Sequence, residues 1–282
     1  MDDNCQIFSF GRFEIGDKSK EGEINPIDLP VIATRNLVLF PNVTIPIALV
    51  RENALKVARY ASEHNLAVGI CCQLDPKREH VDQPSQVFHY GVIADIIQVI
   101  ELPDGGHTAL VRARQRFKIK GKGQGTTIPG SEVNVLPFPL TDRMPAPTDK
   151  EFPVLVKSIT DAMKTIAKSN EVGQAILMTI DNITDGAEII NTIATNLPLD
   201  TFDKMEMLSK QRVKQRGILL YQAMLDVISK VEIANSIKEK AQVEMSLQTR
   251  NAFLQQQMNA IREELYGTDT DEIDTLREKV QK

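Results

Sequence analysis

Arg112, Arg114, Arg116 and Lys118 alternate with Ala113, Gln115, Phe117 and Ile119, and Lys120 and Lys122 follow. Successive side chains of an extended strand point to opposite faces, so this spacing predicts the four basic residues on one face and the more apolar ones on the other. Two readings are open: a solvated sheet face whose lysines discourage edge association, or a docking stripe for acidic segments or polyanions. Other candidate chemistry is thin. Gly121-Lys122-Gly123-Gln124-Gly125-Thr126-Thr127 lacks the G-x-x-x-x-G-K-[ST] order of a phosphate loop and follows a strand without opening a helix, so it predicts a flexible hairpin. His64, His80, His89 and His107 are scattered without a paired ligand spacing. Cys71 and Cys72 are adjacent, which in a strand sends their sulfurs to opposite faces, unsuited to joint ligation. There is no G-x-S-x-G elbow. The pair Lys157-Ser158 lies in helical sequence, where neighbours point about 100° apart. No catalytic, cofactor-binding or metal-ligating residue is expected in this chain, and neither ATP hydrolysis nor peptide cleavage by it.

Composition narrows the class further. The 282 residues carry 42% hydrophobic and 25% charged residues, the balance of a globular protein of about two domains. Thirty-three Lys and Arg against 38 Asp and Glu leave a formal charge of -5, so any anion-binding surface must be local. Trp is absent and aromatics total 5%, which furnishes few stacking platforms for single-stranded nucleic acid. Three cysteines, Cys5 included, give no disulfide framework, and a reducing cytoplasm fits best. Neither a leader pattern nor an apolar run near ~18 residues is present, so no membrane partner is expected.

The elements that would position the basic run follow from texture. Residues 1–26 predict a mobile acidic tail. From Leu29, six β-branched runs punctuated by Pro and Gly predict a mostly antiparallel β-domain over 27–140. Leu102-Pro103-Asp104-Gly105-Gly106-His107 supplies the positive-φ positions of a tight hairpin between the fourth and fifth runs. Asn53 can cap a helix with Leu55, Ala58 and Ser62 on one face. Five prolines between Pro137 and Pro153 mark a linker over 141–152, expected to separate two independently packed units. Beyond it, apolar spacing such as Ile189, Ile193 and Leu197 predicts a helical bundle over 153–209, with Asp200 or Thr201 capping its last helix. From 210 to 266 there is no Pro and one Gly, which allows one helix about 80 Å long. Its first half is apolar enough to pack, while its second half carries a thin stripe suited to a partner helix or a projecting arm.

LPVIATRNLVLFPNVTIPIALVREN strongly resembles the opening of the substrate-recognition domain of bacterial ATP-dependent Lon proteases. Arg35, Phe40, Pro41 and Pro46 match that pattern, while Asn36 stands where Asp is usual. YGVIADIIQVIELPDGGHTALVRARQRFKIK resembles the Lon strand pair, and FLQQQMNAIREELYG the end of the long helix before the ATPase module. The resemblance implies an α+β fold: a PUA-like β pseudo-barrel, a helical bundle and a long helix, with residues 267–282 opening the connection to an AAA+ module. It implies a cytoplasmic homohexameric serine protease as parent, whose ATP and Mg sites and Ser–Lys dyad lie in modules outside this chain. The expected partners are unfolded or degron-bearing proteins and the parent's own ATPase and protease modules. A stand-alone peptide-binding or scaffolding module is the alternative, and polyanion binding could accompany either. Phe40 and Pro41 are expected to turn the first strand and plug the barrel. The candidate contact residues are Arg112, Arg114, Arg116, Lys118, Met245 and Met258, the methionines because their side chains repack easily around varied segments. Met224 fits such a surface or a packed helix face equally.

Overall fold

Six strands form where the six β-branched runs lie, and five of them close on themselves. The computed structural model describes residues 28–123, 128–169 and 171–280. The acidic tail predicted for 1–26 and most of the glycine-rich hairpin fall outside these residues. The chain divides into two compact units, one ending at Ile228 and one beginning at Ser229. In the first, β1 (Leu29–Thr34), β2 (Thr44–Ala48), β3 (Ala67–Cys72), β4 (Tyr90–Glu101), β5 (His107–Lys122) and β6 (Val133–Leu140) make one sheet of order β2-β5-β4-β3-β1-β6. β6 also pairs back onto β5, which closes β5, β4, β3, β1 and β6 into a barrel. Only the β1–β3 pairing is parallel among the described ladders. On the edge opposite β4, the 16 residues of β5 serve two neighbours: its first half pairs with β2 and its second with β6. The turn into it is the one the sequence predicts, with Gly105 at φ 82° and the Leu102 N–H donating to the Gly106 carbonyl at 2.7 Å.

Each strand of the barrel sends side chains to an inner cluster built from Leu29, Val31, Cys71, Ile93, Phe117, Ile119, Val133 and Val135. Phe117, fully buried, fills the space left by two glycines: a Cβ at Gly69 would meet its ring at 3.1 Å, and one at Gly91 would lie 2.7 Å from the Ile70 carbonyl oxygen. Phe117 is therefore the plug, in place of the predicted Phe40. Phe40 is equally buried but belongs to the outer cluster, as do Ile32, Ile70, Val92 and Val111. Asn36, in the loop after β1, sits at φ 53°, a left-handed conformation that Asn tolerates better than most residues.

α1 (Glu52–His64) buries Val57, Ala58 and Ala61 against this outer face and stops at Asn65, φ 53°. Its N-cap is Arg51, with no side-chain cap bond, so Asn53 lies inside the helix instead of capping it. α2 (Glu151–Ala167), α3 (Glu171–Ile180), α4 (Gly186–Asn196) and α5 (Thr201–Ser209) follow, and Asp200 caps α5 by accepting from the Phe202 N–H. α6 runs Val213–Val280, past Gly267 and into the stretch predicted to open a connection. In its first-unit part, Gly217 admits Ile190 and Leu155 where a Cβ would crowd both.

The helices do not form a separately packed unit. Ile159, Ile190, Leu220 and Met224 join Ile32, Ile70 and Val92 in one continuous outer cluster. The Pro-rich stretch is correspondingly no free linker. Pro137 and Pro139 lie in β6, and Pro153 in the first turn of α2, where its missing N–H is tolerated. Between them the Arg143 N–H donates to the Gln211 carbonyl and the Val213 N–H to the Arg143 carbonyl, a short parallel bridge. Asp149 accepts from the Glu151 and Phe152 N–H groups at the start of α2, and from Lys214 of α6.

A buried ionic network joins the same elements. Asp142 receives Arg116 Nε at 2.6 Å and two nitrogens of Arg216 at 3.0 and 3.1 Å, and neither guanidinium is exposed. Arg116 also donates to the Leu208 carbonyl, and Arg216 to Asn191 Oδ1 and the Lys210 carbonyl. Asn191 in turn donates to the Pro41 carbonyl, and the Arg216 guanidinium lies over the Phe40 ring at 5.8 Å. Burial pulls the Arg216 pKa below its ordinary value, and Asp142 opposes that shift.

Removing one member of such a network leaves buried charge unpaired. Asp142→Ala should therefore lower the unfolding free energy by about 3–5 kcal/mol, read from urea denaturation. A change within experimental error would show that the two guanidiniums do not depend on that carboxylate.

The cysteines give a second test. Cys71 faces the barrel interior and Cys72 the outer cluster, as alternation predicts. Burial pushes both thiols up, Cys72 from 9.0 to about 11, partly offset by the Asn36 and Leu37 N–H groups. Because the unfolded thiol ionises first, the contribution of Cys72 to stability is complete below pH 9 and should be lost as pH rises toward about 11. Denaturation midpoints across that range, compared with Cys72→Ala, check it; parallel pH profiles for the two proteins would refute the assignment.

Candidate functional site

A single extra residue decides where the basic run points. The β4–β5 ladder pairs Ile93 with Gln115 but Ala94 with Ala113, so Arg114 is a bulge. An inserted residue inverts the alternation beyond it. Before the bulge, Ala109, Val111 and Ala113 face the outer cluster; after it, Phe117 and Ile119 face the barrel interior. Arg112 and Arg116 consequently lie on opposite faces, and the predicted single-faced stripe of four does not form. Arg112 and Arg114 both reach Asp95 on β4, at 3.2 and 2.7 Å, and share that one carboxylate. Arg116 turns under α5 and α6 into the network with Asp142, so it is a structural residue with no access to a partner.

Lys118 is exposed beyond the helical cover, and the register sets its neighbours. It pairs with Tyr90 of β4 on one side and Phe138 of β6 on the other. Its ammonium lies 5.7 Å from the Tyr90 ring centroid. Lys120 sits at the second irregularity of β5, between Ile119 and Gly121, and its ammonium covers the Phe138 ring at 4.2 Å. Phe138 is 46% exposed, an unusual position for a large aromatic side chain. Neither lysine has a carboxylate partner among the described residues. Tyr90, Lys118, Lys120 and Phe138 thus form a compact basic and aromatic patch on the outer barrel wall. Sequence reading named Lys118 but missed Tyr90 and Phe138, which lie 28 and 20 residues away and come alongside only through the register.

Met245 and Met258 belong to the second unit, where both are exposed, together with Ile237, Leu254 and Ile261. Met224 is fully buried in the first unit and takes the packed-face alternative. His64 stacks on Tyr60 with ring centroids 4.0 Å apart, and His107 contacts Arg59 at 3.0 Å. Among the described residues no three His, Cys, Asp or Glu side chains are grouped as metal ligands. No described helix is long and apolar enough to cross a membrane.

Comparison with known proteins agrees with this architecture. The Lon protease of Porphyromonas gingivalis is 33% identical over 256 residues, covering 89% of this chain and 30% of that protein. The Lon protease of Escherichia coli K12 is 27% identical over 259 residues, covering 90% of this chain and 32% of that protein. The chain therefore spans about a third of the length of these relatives. The N-terminal domain of the Mycobacterium avium complex Lon protease superposes with a TM-score of 0.53 at 23% identity, covering 71% of this chain and 98% of that domain, which supports the fold. Residues 28–226, from the entry to β1 to the first-unit part of α6, match the model of the ATP-dependent protease La (LON) substrate-binding domain, and the chain belongs to that family.

Proposed function

We propose that this chain captures protein substrates for an ATP-dependent protease of Lon type. The observation that carries the reading is the match of residues 28–226 to the substrate-binding family, which takes in the barrel and the helices fused to it. The physical character of the first unit supports it. The barrel interior is filled by Phe117 and its neighbours, so recognition has to use outer surfaces, where extended polypeptide can lie. ATP and Mg would act in parts of the protein outside these 282 residues, as would serine-dependent cleavage. The working assembly is a homohexamer in the cytoplasm, in keeping with the resemblance of the opening and strand-pair motifs. In that assembly this region would meet the client first and pass it to the motor.

The 282-residue chain should bind a permanently unfolded, carboxymethylated protein and ignore the same protein when folded. It should also slow degradation of that client by a full-length Lon protease, while leaving the protease's basal ATP hydrolysis unchanged. Equal binding to folded and unfolded forms, or no competition at saturating chain, would refute the reading.

A further inference from the structure

We infer that the patch formed by Tyr90, Lys118, Lys120 and Phe138 is a docking site for extended client segments that carry acidic residues and an aromatic or other large apolar one at alternate positions, on the same face. The inference rests on the substrate-capture reading above and names the chemistry of the segments captured.

Charge comes first. Of the basic residues on β5, Arg112 and Arg114 are held by Asp95 and Arg116 by Asp142. Lys118 and Lys120 are left with aromatic rings as partners and no carboxylate among the described residues. Lys118 pairs with Phe138 in the ladder and the Lys120 ammonium covers the same ring, so two positive charges gather around one exposed aromatic side chain. Carboxylates at alternate positions of an extended peptide share one face, so one such peptide can answer both lysines.

Shape comes second. Phe138 leaves much of its ring in water even with the Lys120 ammonium above it. A large apolar side chain two residues from a carboxylate, and so on the same face of the extended peptide, can cover that remainder; burying aromatic area of this kind is favourable and adds geometric selectivity. The carboxylate then meets an ammonium already oriented by the ring beneath it.

The same two features argue against a nucleic acid as occupant. Stacking of successive bases needs several open ring faces, and here Lys118 lies over Tyr90 and Lys120 over Phe138, which leaves only the uncovered part of the Phe138 ring. A net charge of -5 also disfavours a long polyanion lying across the molecule.

The test uses the 282-residue chain and fluorescence anisotropy with three probes: a short labelled peptide with two Glu and one Phe at successive alternate positions and Ser between them, its twin with Gln for Glu, and an oligothymidylate. The Glu–Phe peptide should bind most tightly and weaken with salt. Lys118→Gln with Lys120→Gln should cost about tenfold in affinity, two exposed ionic contacts being lost together. Phe138→Ser should weaken the Glu–Phe peptide and the Gln twin alike. Arg112→Gln with Arg114→Gln should cost much less than the lysine pair, because both guanidiniums are engaged with Asp95. All these positions are at the surface, and matched thermal midpoints would show that the variants fold. Unchanged affinity in the lysine variant, or tighter binding of the oligonucleotide than of the peptide, would overturn the inference. If the lysine variant still takes the carboxymethylated client as tightly as the parent, the patch fails while the capture function stands. If the parent binds neither peptide nor client, both fall.

Discussion

Two fully buried guanidiniums and the half-buried carboxylate they share set the relation between the barrel and the helices. Arg116 comes from β5, Asp142 from the segment after β6 and Arg216 from α6, so the network ties together three stretches far apart in sequence. Its charge does not balance: two cations face one anion, and Arg116 Nη2 and Arg216 Nε have no hydrogen-bond partner among the described residues. Such an arrangement contributes little net stability compared with an apolar core. What it contributes is selectivity of packing. Any other docking of the helices on the outer sheet face would strand Arg116, whereas this one supplies Asp142, the Leu208 carbonyl and the Asn191 and Phe40 contacts of Arg216.

The motif that carries the resemblance has its explanation in the same place. Phe40 and Pro41 follow β1 in sequence, which invites a role inside the barrel. They are instead where the loop meets α4 and α6, the ring under Arg216 and the Pro41 carbonyl accepting from Asn191. The barrel takes its plug from Phe117, which the glycines at 69 and 91 admit.

Much of the fold is legible in the residues, because strand propensity and turn chemistry are local. The six runs become six strands, Gly105 makes the hairpin and Asp200 caps α5. Cys71 and Cys72 divide between two clusters by simple alternation. The errors share a physical origin in long-range structure. A bulge is set by pairing with β4, so nothing within Arg112–Lys118 announces that Arg114 is the extra residue. Prolines signal a break in regular structure, but whether the segment is free or tied down depends on Gln211, some 70 residues later. The candidate site divides in the same manner: Lys118 is visible in the alternating run, while Tyr90 and Phe138 become its neighbours only through two ladders.

The bridge between Arg143 and the segment around Arg212 bears on how small a piece of this molecule can stand alone. A chain ended at Leu140 would keep every strand of the barrel and its filled interior. It would also expose the part of the outer cluster that α2–α6 cover, with Arg116 stripped of its counter-charge. That surface is suited to sticking to copies of itself. The autonomous piece has to extend through Arg216, Leu220 and Met224, so its natural end lies partway along a helix instead of in a loop. Where this unit ends, at Ile228, the backbone is still helical.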